Sequence, residues 1–353
     1  MAARRVTMRD IAERAHVSVS TVSYALNDSS TLSLSPDTRA RVRRIAKEIG
    51  YVPNSWAKAL QSRSSGAVGV LLDKPLTLPR YATILEGMRR VLRENDIRLV
   101  LMDSRGGEVE HSAVEDYRAG RVDGLVVVGH DDVATSQVID EAVARYSLPF
   151  VALDCGAGAA PFSTIEFDYA RGVRELVGHL HDRGITHLVH VRPTADARAE
   201  RERQAELLRV VSGYSGLTLQ VVRNGIDDEL LMRSDQLDGT SLPLDRPRFV
   251  ADLGQVLGAL REQAATTAVI CSWGTDLEIV VWIAHRISPD LLVAGLAQGP
   301  LEQSLWPNLV HSVLPLREAG ALCAEAVVGE LREPPTHRHE VLVPVLRASD
   351  PLL

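Results

Sequence analysis

TVSYALNDSSTLSLSPDTRARV, residues 21–42, joins a short apolar run to a hydroxyl-rich stretch and then to Ser-Pro-Asp-Thr, which opens a basic run. Ser35-Pro36-Asp37-Thr38 reads as a helix start. Ser35 caps, Pro36 takes the first turn where its missing N–H costs nothing, and Asp37 suits the positive end of the dipole. Val42, Ile45, Ala46 and Ile49 follow at helical spacing, and Gly50 supplies the stop. Upstream, Thr7-Met8-Arg9-Asp10 reads as a capping box, with Met8, Ile11, Ala12 and Ala15 on one face of the helix it opens. His16-Val17-Ser18 breaks that helix. Ser18 is placed to cap a second one, with Val19, Val22, Ala25 and Leu26 as inner or partly inner positions. Two helices of about eight residues around a tight turn form a helix-turn-helix. The Val, Ala and Leu side chains make a small core, and the hydroxyls and arginines stay outside it.

Charge points the same way. The 353-residue chain has a formal net charge of −7, but residues 1–65 hold eleven Arg or Lys against five Asp or Glu. The remainder holds 28 against 41. A basic head on an acidic body suggests that the head meets a polyanion; the plainer alternative is an Arg-rich solvated helix face. A helix that reads DNA needs small polar residues near its N-terminus, with its dipole toward phosphates. Val19, Ser20, Thr21, Ser23 and Tyr24 fit that need. Thr7, Ser18, Asn27, Ser35, Thr38 and Arg39 complete the candidate DNA contacts of the head, with Ser, Thr and Asn types on phosphates. The three cysteines, Cys155, Cys271 and Cys323, lie far apart and form no Cys-x-x-Cys pair, which fits a reducing, cytoplasmic setting. Arg4 and Arg5 are followed by no apolar stretch, so no signal peptide is expected. No run approaches the roughly 18 apolar residues of a membrane span.

At this point a resemblance becomes specific. VTMRDIAERAHVSVSTVSYALN and then SPDTRARVRRIAKEIGYVPNSWAKAL resemble, almost continuously from residue 6 to residue 60, the head of the lac repressor (LacI) family. The resemblance implies that Pro53–Leu60 is a hinge that folds into a short helix on operator DNA, with Asn54, Ala57 and Lys58 in contact and Leu60 wedged into the minor groove. Three departures stand out. His16 takes a turn position usually held by Gly or Asn, where a positive φ strains it. Tyr24 stands where Arg or His is common. The loop from Asp28 to Leu34 is longer than the family pattern.

From Gly66 the texture changes. AVGVLL, IRLVLMD, VDGLVVVG, LPFVALD, THLVHV, TTAVIC and DLLVAGL are short apolar runs, separated by helical stretches such as Ala82–Asn95 and Asp168–Arg183. Such alternation means α/β, with parallel doubly wound sheets covered on both faces. It resembles the two-lobed, periplasmic-binding-protein-like core of the same family, and HEVLVPVLRAS, 339–349, resembles that family's closing strand. The expected organisation is a helix-turn-helix domain at 1–52, a hinge and linker at 53–65, and an effector-binding and dimerisation domain at 66–353. Its lobes are expected at about 66–160 plus 290–320, and 161–289 plus 321–340.

In such sheets ligands sit beyond the carboxyl ends of the strands. The candidate effector residues there are Asp73, Tyr81, Asp154, Arg201, Trp273, Asp276 and Gln298. The resemblance supplies the roles of Arg201 as the family's effector-binding arginine and of Asp276 as its acid. CSWGTD replaces the usual Cys-Ala-Asn-Asp, and Gly-Leu-Ala-Gln replaces Gly-Phe-Asp-Asp. These departures argue against an ordinary sugar held in the ordinary way, and each residue also has a plain reading as cap, surface charge or core aromatic.

Other motifs fall away. Cys155–Pro161 misses a dinucleotide loop because Pro161 replaces the third glycine. Gly213-Tyr214-Ser215-Gly216 is followed by Leu217 and is no nucleophile elbow. His179 and His181 point to different helix faces and, with His187 and His190, read as core and surface histidines. Residues 234–250 read as a polar, turn-rich loop. No cofactor, metal or catalytic constellation is expected, and no heptad tail for a tetramer. The reading is a sequence-specific DNA-binding regulator, a repressor, acting as a homodimer on double-stranded operator DNA with a small-molecule effector. The alternatives are a small-molecule binder with a vestigial head, and an enzyme with a DNA-binding head.

Overall fold

The structure, a computed structural model, describes residues 6–26, 34–51, 64–72, 76, 78–103, 109–129, 137–156, 160–227, 246–297 and 309–348. The chain divides into two compact units, Met1–Ser65 and Gly66–Leu353.

In the first unit, α1 is Met8–Ala15, α2 is Val19–Leu26 and α3 is Pro36–Glu48. The Thr7 and Asp10 capping box forms: the Asp10 carboxylate takes the Thr7 backbone N–H at 2.7 Å, and Thr7 Oγ1 takes the Asp10 N–H at 3.4 Å. His16 ends α1 at φ 52°, the left-handed conformation that lets the chain reverse into α2. Ser18 Oγ accepts the Thr21 N–H at 3.1 Å and so caps α2. Ser35 does the same for α3 through Thr38 at 3.3 Å. Ile11, Ala12, Ala15, Val22, Ala25, Val42, Ile45 and Ala46 close into one small core. Val19, expected toward that core, is 46% exposed instead. Only Val22 and Ala25 of α2 are fully buried, three positions apart, and Val19 falls outside the contact because α2 meets two helices with one narrow stripe.

The second unit contains two six-stranded sheets. Its elements in chain order are β1 (Ala67–Leu72), α4 (Pro79–Glu94), β2 (Arg98–Asp103), α5 (Val109–Arg118), β3 (Gly124–Val128), α6 (Gln137–Tyr146), β4 (Phe150–Leu153) and β5 (Ser163–Phe167). There follow α7 (Tyr169–Asp182), β6 (His187–Arg192), α8 (Arg198–Gly213), β7 (Thr218–Arg223), α9 (Arg246–Ala259), β8 (Thr267–Cys271), α10 (Leu277–Ile287) and β9 (Leu292–Gly295). The last are β10 (Leu309–Val313), α11 (Leu316–Glu330), β11 (His339–Leu342) and β12 (Val345–Ala348). The first lobe orders its strands β11-β5-β4-β3-β1-β2, and the second β12-β10-β9-β8-β6-β7. All pairs are parallel except β12 on β10. Inner strands such as β1, β3 and β8 are covered on both faces, which is why they read as unbroken apolar runs, whereas the edge strands β7, β11 and β12 are largely exposed.

The lobe boundaries differ from the sequence expectation. β9 and β10, within 290–320, belong to the second sheet, and β5, beginning at Ser163, belongs to the first. α11 returns to the first lobe, where it packs along α4. The closing stretch 339–348 is two strands rather than one, β11 beside β5 and β12 beside β10, separated by Val343 and Pro344. The chain therefore crosses between lobes three times: after β5, after β10 and after β11. The α4–α11 contact is close enough that a Cβ on Gly320 would stand 1.9 Å from the Ile84 carbonyl oxygen, and one on Gly87 2.1 Å from that of Arg317. Two glycines facing each other let the helix backbones touch.

Candidate functional site

Two regions gather the candidate residues, and each is described by itself. In the head, the solvent face of α2 carries Val19, Ser20 and Tyr24, with Ser23 half-buried beside them and Tyr24 40% exposed. Thr21 shares a 2.8 Å hydrogen bond with Ser18, so this pair is engaged in the cap. Ser35 and Thr38 pair in the same way at 2.8 Å. Thr7 and Ser18 are exposed and Arg39 is half-buried. Arg43 donates from Nε to the Ala25 carbonyl at 3.1 Å, answering one of the orphan carbonyls at the end of α2. The start of α2, the Ser20 and Ser23 hydroxyls and the Tyr24 ring thus share a surface that suits phosphates and base edges. Asn27, Asn54, Ala57, Lys58 and Leu60 lie outside the described residues.

In the core, polar side chains converge where the lobes meet. Asp154 follows β4 at φ 57° and is 3% exposed. Its Oδ2 accepts from Arg80, at the start of α4, and from the Tyr169 hydroxyl at 2.7 Å. Its Oδ1 accepts from Arg198 at 2.5 Å. Arg198 opens α8 in the second lobe and also reaches Glu166 of β5 at 3.1 Å and Glu202 at 2.6 Å. An arginine of one lobe therefore sits between two carboxylates of the other. Burial pushes the Tyr169 phenol well above its ordinary range, so it is a proton donor to Asp154 at neutral pH. Burial alone would lower the Arg80 guanidinium, and Tyr169 and Asp154 beside it raise it instead.

A second group lies deeper in the second lobe. Glu200, fully buried, accepts from Arg203 at 2.7 Å and from the Trp273 indole at 2.9 Å, while its Oε2 is enclosed with no hydrogen-bond partner. The Arg203 guanidinium stands 4.5 Å over the Tyr169 ring. Asp276 is buried and takes the Asn224 amide at 2.7 Å. His190 is held between Gln204 at 3.0 Å and Ser272 at 2.8 Å, and burial lowers it to about 4.

The sequence candidates meet this geometry unevenly. Asp154 is central, Trp273 bonds Glu200 in the second lobe, and Asp276 is buried there on the Asn224 amide. Tyr81 packs in the first-lobe core with its ring against Gly129, next to Arg80, which carries the polar contact. Arg201 does not join the cluster. It is 42% exposed and turns outward to Asp196, and the buried arginines of this stretch are Arg198 and Arg203. The reason is phase. Leu207 anchors α8 in the core, and counting back four and seven residues reaches Arg203 and Glu200, not Arg201. That count was available in the sequence. Arg80 and Tyr169 carried no such signal, because their roles depend on Asp154 arriving from another strand. Asp73 and Gln298 lie outside the described residues.

Among the described residues no group of His, Cys, Asp and Glu is placed to hold a metal ion. Ser163 and His337 both bond Glu330, at 2.5 and 2.9 Å, so serine and histidine share an acid instead of forming a nucleophile–base pair. No helix among the described residues is long and apolar enough to cross a membrane.

Known proteins place this arrangement. Residues 7–54 match the model of bacterial regulatory proteins of the lacI family, and residues 65–209 that of periplasmic binding proteins and the sugar-binding domain of the LacI family. The chain is 28% identical to the HTH-type transcriptional regulator CelR of Thermobifida fusca, over 94% of each chain. It is 25% identical to the ribose operon repressor of Haemophilus influenzae, over 97% of this chain and 98% of that one. The lac repressor dimer bound to operator and the anti-inducer ONPF has the same fold, with a TM-score of 0.74 at 20% identity over 97% of this chain and 98% of that one. A capped helix-turn-helix, two crossed-over α/β lobes and end-to-end similarity to such regulators lead to one conclusion: the chain belongs to the lacI family of bacterial transcriptional regulators.

Proposed function

We propose that the chain is a cytoplasmic repressor that binds a pseudo-palindromic operator as a homodimer and answers to a small molecule held between its lobes. The single observation that carries the reading is the head. Its capping box, its Ser18 and Ser35 caps and its closed core keep the polar face of α2 presented to solvent. A head that had lost its role would not be held to that geometry. The relatives support the reading, since they are regulators and operon repressors, and one neighbour of the fold is a CelR–cellobiose complex at a TM-score of 0.59. One head makes too few contacts for tight specific binding, so two are needed on one site. The domain plan is a head at 1–52, a hinge at 53–65 with Leu60 as the minor-groove wedge, and a core at 66–353. The role is regulatory and not enzymatic. A ligand acts only through different affinities for two arrangements of the lobes. The charged ties of Asp154, Arg198, Glu200 and Arg203 occupy the cleft already, so the effector must replace or supplement them.

The test is selection of bound sequences from a random duplex pool by the full-length protein. An enriched palindrome with a fixed centre is expected. A folded dimer that enriches nothing, with or without candidate ligands, would refute the reading.

A further inference from the structure

A cavity of about 830 Å³ opens at the carboxyl ends of β6 and β7, beside α9. None of the Asp154 cluster lines it. Its wall holds Arg192, the last residue of β6, and Arg223, the last of β7, which are direct neighbours in the parallel register. Neighbouring residues of adjacent strands point to the same face, so two guanidinium groups are brought side by side. Arg192 is 8% exposed, and its Nε is enclosed with no hydrogen-bond partner. Among the described residues neither Arg192 nor Arg223 forms a salt bridge. Arg248, in the first turn of α9, adds a third guanidinium, and the helix start adds the positive end of its dipole. Among the described residues that line the cavity the acid is Asp252, which faces Arg248 at 3.8 Å on the rim. Phe249 and Val222 border the same cavity from the other side of the strand ends.

A buried arginine without a counter-charge costs several kcal/mol in general, and two like charges in register add to the cost. A chain gains by keeping such a pair where a ligand supplies the missing anion. We propose that this cavity is a binding site for a small organic anion, with a carboxylate or phosphate head on Arg192 and Arg223 and an apolar body on Phe249. The site is distinct from the cleft at Asp154, and the proposal stands whether or not the chain represses transcription.

The test is thermal unfolding of the full-length protein at constant ionic strength, with chloride replaced by inorganic phosphate or by benzoate. Phosphate strengthens burial in any protein, so the deciding quantity is the difference between the chain and its Arg192→Met variant. The anion-dependent rise in Tm is expected in the parent and absent in Arg192→Met. A response to phosphate alone identifies a phosphate head, and a response to benzoate alone a carboxylate. Arg223→Met, at an exposed position, is expected to fold and to weaken the half-saturating anion concentration several-fold, which keeps the test open if Arg192→Met unfolds. Equal anion responses in the parent and both variants, or no response in any of them, would overturn the proposal.

Discussion

At the scale of single residues, function rests on a few side chains whose surroundings fix their state. Tyr24 is the largest exposed group on the face of α2, where a base edge would be met. Tyr24→Ala is expected to relax preference at one base position per half-site, a loss of about 1–3 kcal/mol of discrimination there. Repeating the duplex selection with the variant measures it, and an unaltered preference would mean that the ring only packs. His190 is a different case. Burial lowers it to about 4 in the folded chain, against about 6.5 when unfolded. The unfolded chain therefore takes up a proton that the folded chain refuses between those values. The stability His190 contributes is complete above about pH 6.5 and is lost as pH falls toward 4, at most about 3 kcal/mol. His311, also lowered to about 4 by burial, acts in the same direction. Urea midpoints at pH 7.5 and 4.5 should show the fall, and His190→Gln should reduce it. An equal pH dependence in parent and variant would show that His190 titrates normally.

At the scale of elements, the contact between α4 and α11 decides how the first lobe is held. Gly320 and Gly87 let the backbones approach so closely that any side chain on Gly320 meets the Ile84 carbonyl. Backbone cannot rotate aside as a side chain can. Gly320→Ala therefore forces the helices apart and disturbs the packing of Met88, Cys323 and Val327, buried in the same core. Overpacking of this kind costs about 1–3 kcal/mol or more. The small helix-propensity gain of alanine, near 1 kcal/mol, does not offset it. Chemical denaturation of the full chain checks the sign: a variant as stable as the parent would show that the helices yield freely. The same contact explains why α11, which follows a second-lobe strand, returns to the first lobe.

For the whole molecule, the question is what joins the two lobes of the core. Three chain crossings allow them to move, and the Asp154–Arg198–Glu166 tie resists it. Arg198→Ala removes the second-lobe partner and leaves two carboxylates of the first lobe facing each other, although Arg80 still holds Asp154. The expected result is a looser pair of lobes, with a larger radius of gyration by small-angle scattering and faster proteolysis near the crossings. The stability loss should be about 1–3 kcal/mol, as for a hydrogen bond to a charged group. Scattering and proteolysis identical to the parent would show that packing alone holds the lobes. Because a ligand in the cleft must replace or supplement this tie, Arg198→Ala should also shift the effector's half-saturating concentration.

The sequence by itself determined the head almost completely. Its helices are short and its caps are local, so Thr7, Ser18, Ser35 and Pro36 mark their own elements within three or four residues. It also determined the α/β character of the body, because a strand buried on both faces is apolar along its length, as in β1, β3 and β8. Only the tertiary structure decided which strand belongs to which lobe, where Val343 and Pro344 divide the closing stretch, and that Arg198 reaches Asp154. Those features depend on contacts between residues far apart in the chain. Asp154 meets Arg80 and Arg198, and Gly320 meets Ile84, only after the sheets have formed. A local pattern records which face of an element is apolar, but not which distant partner will cover it.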